Sequence, residues 1–358
     1  MDSLFHPLRV AQVVADRDAD AVLVSFDVPD ALRETFRFDA GQHLTLRRTF
    51  DGVEQRRSYS ICAGADDGQL CVGVRNVPGG LFSGWLNTML AAGDRIDVMA
   101  PAGRFVVHGE RSGPRHVLGL AAGSGITPVL SILKTLLARD QTARFTLLYA
   151  NRTRRSTMFN AELDDLKDRY LSRFALHRVL SQEHADLPLY AGRLDRSRIG
   201  AFFERGLLDA ARLDDAFVCG PHGFNDEAVA ALHAAGWPDT RIHVERFGVA
   251  AAERAVPSAT LADAAAARVL VIRDGVRREI AFQAGQASVL DAAEAAGLDL
   301  PYSCRSGVCC TCRARVLEGE VRMQRNFALE ADELAAGFVL SCQAVPVTER
   351  VVLSFDER

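Results

Sequence analysis

The sequence predicts a multi-domain chain: an antiparallel β-barrel over residues 1–110, a doubly wound α/β domain over 111–248, a linker at 249–267 and a small α+β domain over 268–358. Three observations predict it. Short strands follow one another between Gly- and Asp-rich turns in the first part, strands alternate with helices in the second, and four cysteines stand at fixed spacing near the C-terminus. The 358 residues suit two or three domains, and a composition 48% hydrophobic and 25% charged is that of an ordinary globular chain.

In the first segment, AVLVSFDVP, QHLTLRR, RSYSICA, LCVGVRNV and RIDVMAP are short runs closed by turn residues, and such a succession suits a small antiparallel barrel. Arg57, Ser58, Tyr59 and Ser60 lie on one of these strands. They offer a guanidinium for a phosphate, an aromatic face for a flat ring and a hydroxyl for a ring heteroatom. In VPGGLFSGWL, Gly79 and Gly80 allow a tight turn, and the amides around Ser83 open a helix toward a pyrophosphate. Together these motifs read as a flavin site. A plain strand followed by a glycine turn is the competing reading.

From residue 111 the pattern changes. HVLGLAA, FTLLYAN and DAFVCGP are apolar strands, while TPVLSILKTLLAR and FNAELDDLKDRY are helical, which predicts a parallel sheet wound in both directions. The uncharged stretch 117–133 falls here, and its Gly, Thr and Pro residues suit strand–loop–helix better than a membrane span. Within it, Gly123 and Gly125 remove Cβ atoms where a pyrophosphate approaches the backbone, Thr127 continues the turn, and Pro128 fits the first helical turn. No Gly-Lys-Ser/Thr follows, so this is not a Walker A loop.

Cys219 and Gly220 end a later strand at the carboxyl edge, where the crevice of an open sheet lies. The thiol either meets a nicotinamide ring there or is simply buried. After the second strand come Arg152, Arg154 and Arg155, where an NADH site carries an acid for the ribose 2′-OH, so affinity for the 2′-phosphate of NADPH is expected. A solvated basic loop is the alternative. Phe247 closes the segment, as a cover for a flavin face or as a core aromatic at the border.

The Ala-rich stretch 249–267 has no large apolar face and reads as a linker. RVLVIRDGVRREIAF is a hairpin turning at Asp274 and Gly275, and SVLDAAEAAG is a short helix stopped by Gly297. The cysteines follow. Cys304, Cys309 and Cys312 form a C-x4-C-x2-C run, and Cys342 stands further on in VLSCQAV, the ligand spacing of a plant-type 2Fe–2S cluster. A zinc ribbon would need a second C-x2-C pair, and a redox C-x-x-C would not need the outer two cysteines. The small Ser306, Gly307 and Thr311 let backbone amides reach the sulfurs. Cys310 is read as a spectator where Ser or Gly is expected, with alternative ligation as the other reading.

Taken together, RSYSICAG, VPGGLFSGWLN, GSGITP, NRTRRSTMFNAELDDLKDRY, CGP, PYSCRSGVCCTCRA, EGEVRM and GFVLSC resemble the ferredoxin–NADP reductase superfamily with a fused plant-type ferredoxin. Within it, the chain looks most like the reductase subunits of phenylacetyl-CoA epoxidase (1,2-epoxidase) complexes, over nearly its whole length. The resemblance implies an FAD-binding barrel, an NAD(P)H-binding α/β domain and a β-grasp ferredoxin domain. It also implies FAD, NADPH and one 2Fe–2S cluster as cofactors, with a separate multi-subunit di-iron oxygenase as partner. Carried over by motif, Arg57, Ser58, Tyr59 and Ser60 would hold the flavin, with Gly79, Gly80 and Ser83 at its pyrophosphate. Gly123, Gly125, Thr127, Pro128, Arg152 and Arg155 would line the nucleotide, with Cys219 and Gly220 near the reacting ring and Phe247 on the flavin. Cys304, Cys309, Cys312 and Cys342 would bind the cluster. Tyr59, Ser60 and Cys219 stand as the candidate catalytic residues.

An electron path is therefore expected. A nicotinamide gives up two electrons together, an iron–sulfur cluster accepts one at a time, and a flavin does both. No E-x-x-H helix or second cluster motif is present in the sequence, so oxygenation falls to an external partner. The other readings are a reductase for another oxygenase, hydroxylase or desaturase, using NADH or FMN, and a redox sensor without turnover. A net charge of −4 argues against nucleic acid, nothing suggests a membrane partner, and eight cysteines without a secretory signal point to the cytoplasm. Around the cysteine loop, Arg305, Arg313, Arg315, Arg322 and Arg325 face only Glu318 and Glu320 nearby in sequence, so a basic docking rim is expected, with scattered solvated charges as the alternative.

Overall fold

The computed structural model describes residues 4–107, 113–248, 266–283 and 285–357. The expected linker lies outside these residues up to 265, and Ala267 already opens a strand. Phe5–Glu245 forms one compact unit and Arg246–Arg358 the bulk of a second.

The first unit begins with β1 (Phe5–Asp16), β2 (Ala21–Asp27), β3 (His43–Phe50), β4 (Val53–Ser60), β5 (Leu70–Arg75), α1 (Leu81–Thr88) and β6 (Arg95–Met99). The strands run β4-β3-β6-β1-β2-β5, and every neighbouring pair is antiparallel. Just past β4, Ile61 bridges Val72 of β5, and Cys62 N–H donates to the Cys71 carbonyl at 2.9 Å. That seam closes the sheet into a barrel, which leaves few edge groups unpaired. β1 escaped the sequence reading, although Leu8 and Val10 are buried on either side of exposed Arg9, as a half-buried strand requires. Phe82 and Leu86 carry α1 into the barrel core.

The same unit continues through β7 (His116–Ala122), α2 (Ile126–Arg139), β8 (Arg144–Asn151), α3 (Asn160–Arg169), β9 (Phe174–Leu180), α4 (Arg196–Glu204), β10 (Asp215–Gly220), α5 (His222–Ala234) and β11 (Ile242–Arg246). Their sheet order is β11-β10-β7-β8-β9, with β10, β7, β8 and β9 mutually parallel. Apolar residues on β7 explain why both faces are covered. Val117 and Ala121 join the core shared with the barrel, whereas Leu118 and Leu120 join the core under α4 and α5. The sequence reading found β7, β8, β10, α2 and α3 but passed over β9, β11, α4 and α5.

Helix α2 ties the sheet to the barrel. Ser131 Oγ donates to the Ala63 carbonyl at 2.6 Å, Thr135 Oγ accepts from Ala65 N–H at 2.9 Å, and Lys134 bridges Asp67 and Glu162. A Cβ on Gly73 of β5 would meet the Phe159 ring at 2.8 Å and Thr127 Cγ2 at 3.0 Å, so only glycine lets the two layers approach this closely.

The second unit contains β12 (Ala267–Arg273), β13 (Val276–Phe282), α6 (Val289–Ala295), β14 (Arg313–Glu318), β15 (Val321–Met323), α7 (Ala331–Ala335), β16 (Phe338–Leu340), β17 (Ala344–Pro346) and β18 (Arg350–Ser354). Its main sheet runs β13-β12-β18-β14-β16, with first and last strands β12 and β18 side by side and parallel. Asp274 and Gly275 both have positive φ, the backbone that a two-residue hairpin turn demands. Val289, Leu290, Ala292 and Ala293 seat α6 on the core of this sheet. The mixed sheet under one helix is the α+β arrangement expected. Among the described residues no helix is long and apolar enough to cross a membrane.

Candidate flavin, nucleotide and iron–sulfur sites

Strand β4 presents Arg57-Ser58-Tyr59-Ser60 in register with Leu46, Thr45, Leu44 and His43 of β3. Alternation buries Ser60 and leaves Arg57 exposed, while Tyr59 lies 6.1 Å, centroid to centroid, from Phe82 of α1. Burial raises the Tyr59 hydroxyl well above the usual phenol range, so it stays protonated. The turn before α1 is narrow. Gly79 has φ +73, and a Cβ on Gly80 would fall 2.5 Å from Ser83 Oγ. Ser83 Oγ itself accepts from Val77 N–H at 3.2 Å, so its hydroxyl is spent on shaping the turn, a role the sequence reading did not assign to it.

The nucleotide turn corrects another expectation. Gly123-Ser124-Gly125 is one turn of 3-10 helix leading into α2, with Gly123 at φ +57. A Cβ on Gly125 would lie 2.1 Å from the Cys219 carbonyl oxygen and 2.8 Å from Gly220 N. The close approach that the sequence reading reserved for a phosphate is taken at Gly125 by the end of β10. Thr127 is 1% exposed, its hydroxyl donating to the Ser124 carbonyl at 3.0 Å, and Pro128 is buried in the first turn of α2. Gly123 and Ser124 remain partly exposed. Because β7 and β10 are parallel neighbours in register at Ala121 and Cys219, both turns emerge side by side where the strand order reverses. Open parallel sheets bind ligands at that point.

Two residues that motif reading missed stand here. Arg75, at the end of β5, donates from Nη2 to the Ser156 carbonyl at 2.6 Å, while its Nη1 lies 3.0 Å from where a Gly123 Cβ would sit. The Arg75 Nε is buried with no partner among the described residues. Glu245, the residue after Val244 in β11, accepts from Ser60 Oγ at 3.0 Å, and its backbone carbonyl accepts from buried Asn225 Nδ2 at 3.1 Å. Although some of Glu245 remains exposed, its carboxyl is deep enough that burial pushes it up to about 8. Burial, with the Glu245 charge beside it, raises the Cys219 thiol far above its ordinary range. The structure thus brings Ser60 and Cys219 together around Glu245, with Cys219 wholly buried as a neutral thiol.

Among the arginines after β8, Arg154 pairs with Asp164 at 3.3 Å and Arg155 with Asp18 at 2.8 Å. Arg152 is exposed, with its carbonyl accepting from Gln182 N–H at 2.8 Å. Phe247 is 47% exposed, so it is not a core aromatic.

The cysteine loop lies between α6 and β14. Arg305, Gly307 and Cys310 have φ of +53, +79 and +55, and these left-handed residues coil the loop tightly. The coil sets Cys304 beside Cys309, and Cys312 beside Cys342 beyond β16, each pair close enough that one thiol shifts the titration of the other. The contact with Cys309, aided by the Ser306 and Val308 amides, lowers the Cys304 thiol to about 5. Ser306 N–H reaches Cys304 Sγ at 3.4 Å. Cys310 donates instead to the Ala328 carbonyl at 3.3 Å. Among the described residues no three His, Cys, Asp or Glu side chains converge as for a single metal ion. Two facing pairs of thiols fit a two-iron cluster, which needs two thiolates on each iron, and N–H donors aimed at the sulfurs suit its negative charge.

Comparison with known proteins follows this division. The model of an oxidoreductase FAD-binding domain matches residues 12–107, that of an oxidoreductase NAD-binding domain 120–229, and that of a 2Fe–2S iron–sulfur cluster binding domain 271–347. One subunit of the 1,2-phenylacetyl-CoA epoxidase of Escherichia coli (strain K12) is 44% identical over 99% of this chain and 98% of its own. The chain belongs to the ferredoxin–NADP reductase superfamily, in the branch with a C-terminal 2Fe–2S domain. The ferredoxin reductase component of the 3-ketosteroid-9-alpha-monooxygenase of Mycolicibacterium smegmatis is 36% identical over 98% of this chain and 97% of its own. Phthalate dioxygenase reductase, described as a modular structure for electron transfer from pyridine nucleotides to a 2Fe–2S centre, shares the fold at TM-score 0.58 over 98% of both chains, with 24% identity.

This member of the superfamily is an oxidoreductase that passes electrons from NAD(P)H through FAD to a 2Fe–2S cluster, as the sequence reading expected. Its relatives are reductase components that serve separate oxygenase components.

Three of the five arginines expected to form a basic rim on the reductase's iron–sulfur domain are neutralised by acids. Arg305 pairs with Asp291 at 3.0 Å and with Glu294, both on α6, Arg313 pairs with Glu333 at 2.9 Å, and Arg315 pairs with Glu357 at 3.3 Å. The acids that neutralise these arginines come from α6, α7 and the C-terminal end, too far away in sequence for a local charge count to include them.

Glu245 gives the reductase a pH signature. Its carboxyl rises from 4.5 to about 8 on folding, so the folded state holds a proton that the unfolded state releases. The stability due to the neutral carboxyl is complete below 4.5 and is lost as pH rises through about 8. Glu245→Gln should flatten the fall in melting temperature over that window, as read by calorimetry at several pH values. An unchanged slope would mean that the carboxyl titrates as if exposed.

Proposed function

We propose that this reductase serves a phenylacetyl-CoA epoxidase, supplying electrons from NADPH to a separate multi-subunit di-iron oxygenase. The single observation that supports this reading is the 44% identity to the Escherichia coli protein, spread over 99% of the chain, against 36% for the ketosteroid reductase. The decisive experiment combines the holoreductase with purified epoxidase oxygenase subunits, phenylacetyl-CoA, NADPH and oxygen. Epoxide formation coupled to NADPH use is expected. Uncoupled NADPH oxidation, with turnover restored by a ketosteroid oxygenase instead, would overturn it.

In this reading the chain's residues bind, orient and exclude water. Flavin and cluster, when bound, convert a two-electron donor into one-electron deliveries. Arg57, Ser58 and Tyr59 hold the flavin on β4, with the turn at Gly79, Gly80 and Ser83 opening α1 toward its pyrophosphate. Gly123 and the guanidinium of Arg75 line the crevice for the nucleotide's phosphates, with Gly125, Thr127 and Pro128 shaping the turn from beneath and Gly220 near the reacting ring. Ser60, held by Glu245, and the neutral Cys219 thiol border the place where the rings meet. Phe247 offers its exposed face as a cover. Cys304, Cys309, Cys312 and Cys342 bind the cluster.

NADPH preference rests on Arg152 and on Arg155, which exchanges Asp18 for the 2′-phosphate. Each charge-assisted contact contributes on the order of 1.5 kcal/mol at such an exposed site, about tenfold in binding. Replacing both with glutamine should raise KM for NADPH on the order of a hundredfold and KM for NADH little. Equal changes would reduce the stretch to a solvated loop.

The division of labour follows the two compact units. A chain ending at Gly248 retains every residue assigned above to the flavin and the nucleotide. It should bind flavin and reduce ferricyanide with NADPH while delivering nothing to an oxygenase. A folded fragment unable to oxidise NADPH would sink the proposed domain boundaries.

A further inference from the structure

Gln343 directly follows Cys342, and only 5% of it is exposed. Its side-chain nitrogen lies 2.9 Å from the Cys342 carbonyl, 3.1 Å from the Arg305 carbonyl and 3.5 Å from Cys342 Sγ. All three are acceptors once Cys342 is a thiolate, so the amide nitrogen, not its oxygen, must face them. The other side of Gln343 is equally confined. A Cβ on Gly307, at φ +79, would come within 3.3 Å of Gln343 Cγ, so the side chain lies flat against the cysteine loop. Its backbone is pinned as well, with its N–H donating to the Leu340 carbonyl at 2.8 Å and its own carbonyl accepting from Gln324 N–H at 2.9 Å. Gln343 therefore joins the loop carrying Cys304 to the strand end carrying Cys342.

We propose that Gln343 is a positioning residue that sets the reduction potential of the cluster, with one side-chain N–H given to the Arg305 carbonyl and the other shared between the Cys342 carbonyl and the Cys342 sulfur. This rests on the reading of Cys342 as a ligand. A reduced cluster carries one more negative charge, shared with its ligand sulfurs, so an N–H aimed at a sulfur favours the reduced form and raises the potential. Backbone donors such as Ser306 N–H do the same but belong to the loop's fold. Gln343 acts from a side chain, which a substitution can change while the loop stays in place.

The test uses full-length holoprotein with Gln343→Met, which keeps the shape and loses the donor, and Gln343→Glu, which replaces the donor with a carboxylate. Iron per chain and the midpoint potential, from a titration followed by EPR, are the readouts. Iron content should be kept in both. The potential should fall in Q343M by on the order of 59 mV, a tenfold change in a one-electron equilibrium, and further in Q343E. A potential unmoved or raised in Q343M overturns the proposal. Should both variants shed iron, unmodified protein labelled with 15N at glutamine side chains decides: pulsed EPR should detect that nitrogen coupled to the reduced cluster, and no coupling overturns the proposal. Cys342→Ser checks the underlying reading separately, because full iron content there would remove Cys342 as a ligand whatever Gln343 does.

Discussion

Serine in place of Cys304, Cys309, Cys312 or Cys342 is expected to empty the 2Fe–2S site and stop delivery to the oxygenase altogether, while Cys310→Ser changes neither. The first four thiols face one another in two pairs, and a serine hydroxyl at any of them removes one soft thiolate from a four-ligand set. Cys310 points its thiol at the Ala328 carbonyl, a hydrogen bond that serine can make equally well. Iron and sulfide per chain, with visible absorbance, read the outcome. Reduction of ferricyanide by NADPH should survive in all five variants, because it draws on the flavin alone. If Cys310→Ser loses iron while Cys309→Ser keeps it, the ligand assignment is wrong.

Gly125→Ala should cripple nucleotide-dependent reduction of the flavin by on the order of a hundredfold, the usual consequence of moving a reacting group by about an ångström. Its new methyl would stand 2.1 Å from the Cys219 carbonyl oxygen and 2.4 Å from the carbonyl carbon, and backbone cannot swing aside as a side chain can. Either the start of α2 or the end of β10 must shift, at a cost of about 1–3 kcal/mol in stability. Gly123→Ala, which lines the crevice itself, is the comparison for the stability cost alone. Its added methyl meets only the tip of the Arg75 side chain at 3.0 Å, leaving the cost of a left-handed alanine, about 1–2 kcal/mol. Stopped-flow flavin reduction reads the loss in Gly125→Ala, and thermal melting compares the two variants. Equal effects at both positions would mean that the contact with β10 carries no special weight.

Most of the architecture was legible in the sequence because its causes are local. Short runs closed by turn residues marked β2 to β6, apolar runs with intervening amphipathic stretches marked the parallel sheet, and Asp274 and Gly275 marked the hairpin. What escaped were elements with weaker patterns. On β9 the burial does not alternate, and α4 and α5 bury only two and four of their residues, so neither shows a strong apolar stripe. Glycine motifs announced turns correctly, but not what each glycine makes room for. At Gly123 the backbone turns left-handed, whereas at Gly125 the missing Cβ admits a neighbouring strand.

The sequence by itself determined the class of chemistry. Spacing along a chain is enough to propose which cysteines share a cluster, which strand meets a flavin and which turn meets a nucleotide, because those motifs span few residues and their geometry follows from local backbone rules. Only the tertiary structure decided which charges and polar groups meet across long separations. It set Glu245 against Ser60, 185 residues away, carried Arg75 to Ser156, and turned three arginines of an apparent basic rim into pairs with Asp291, Glu294, Glu333 and Glu357. The physical reason is that a carboxylate's pKa, a guanidinium's freedom and an amide's partner depend on distance through space, which no local pattern encodes.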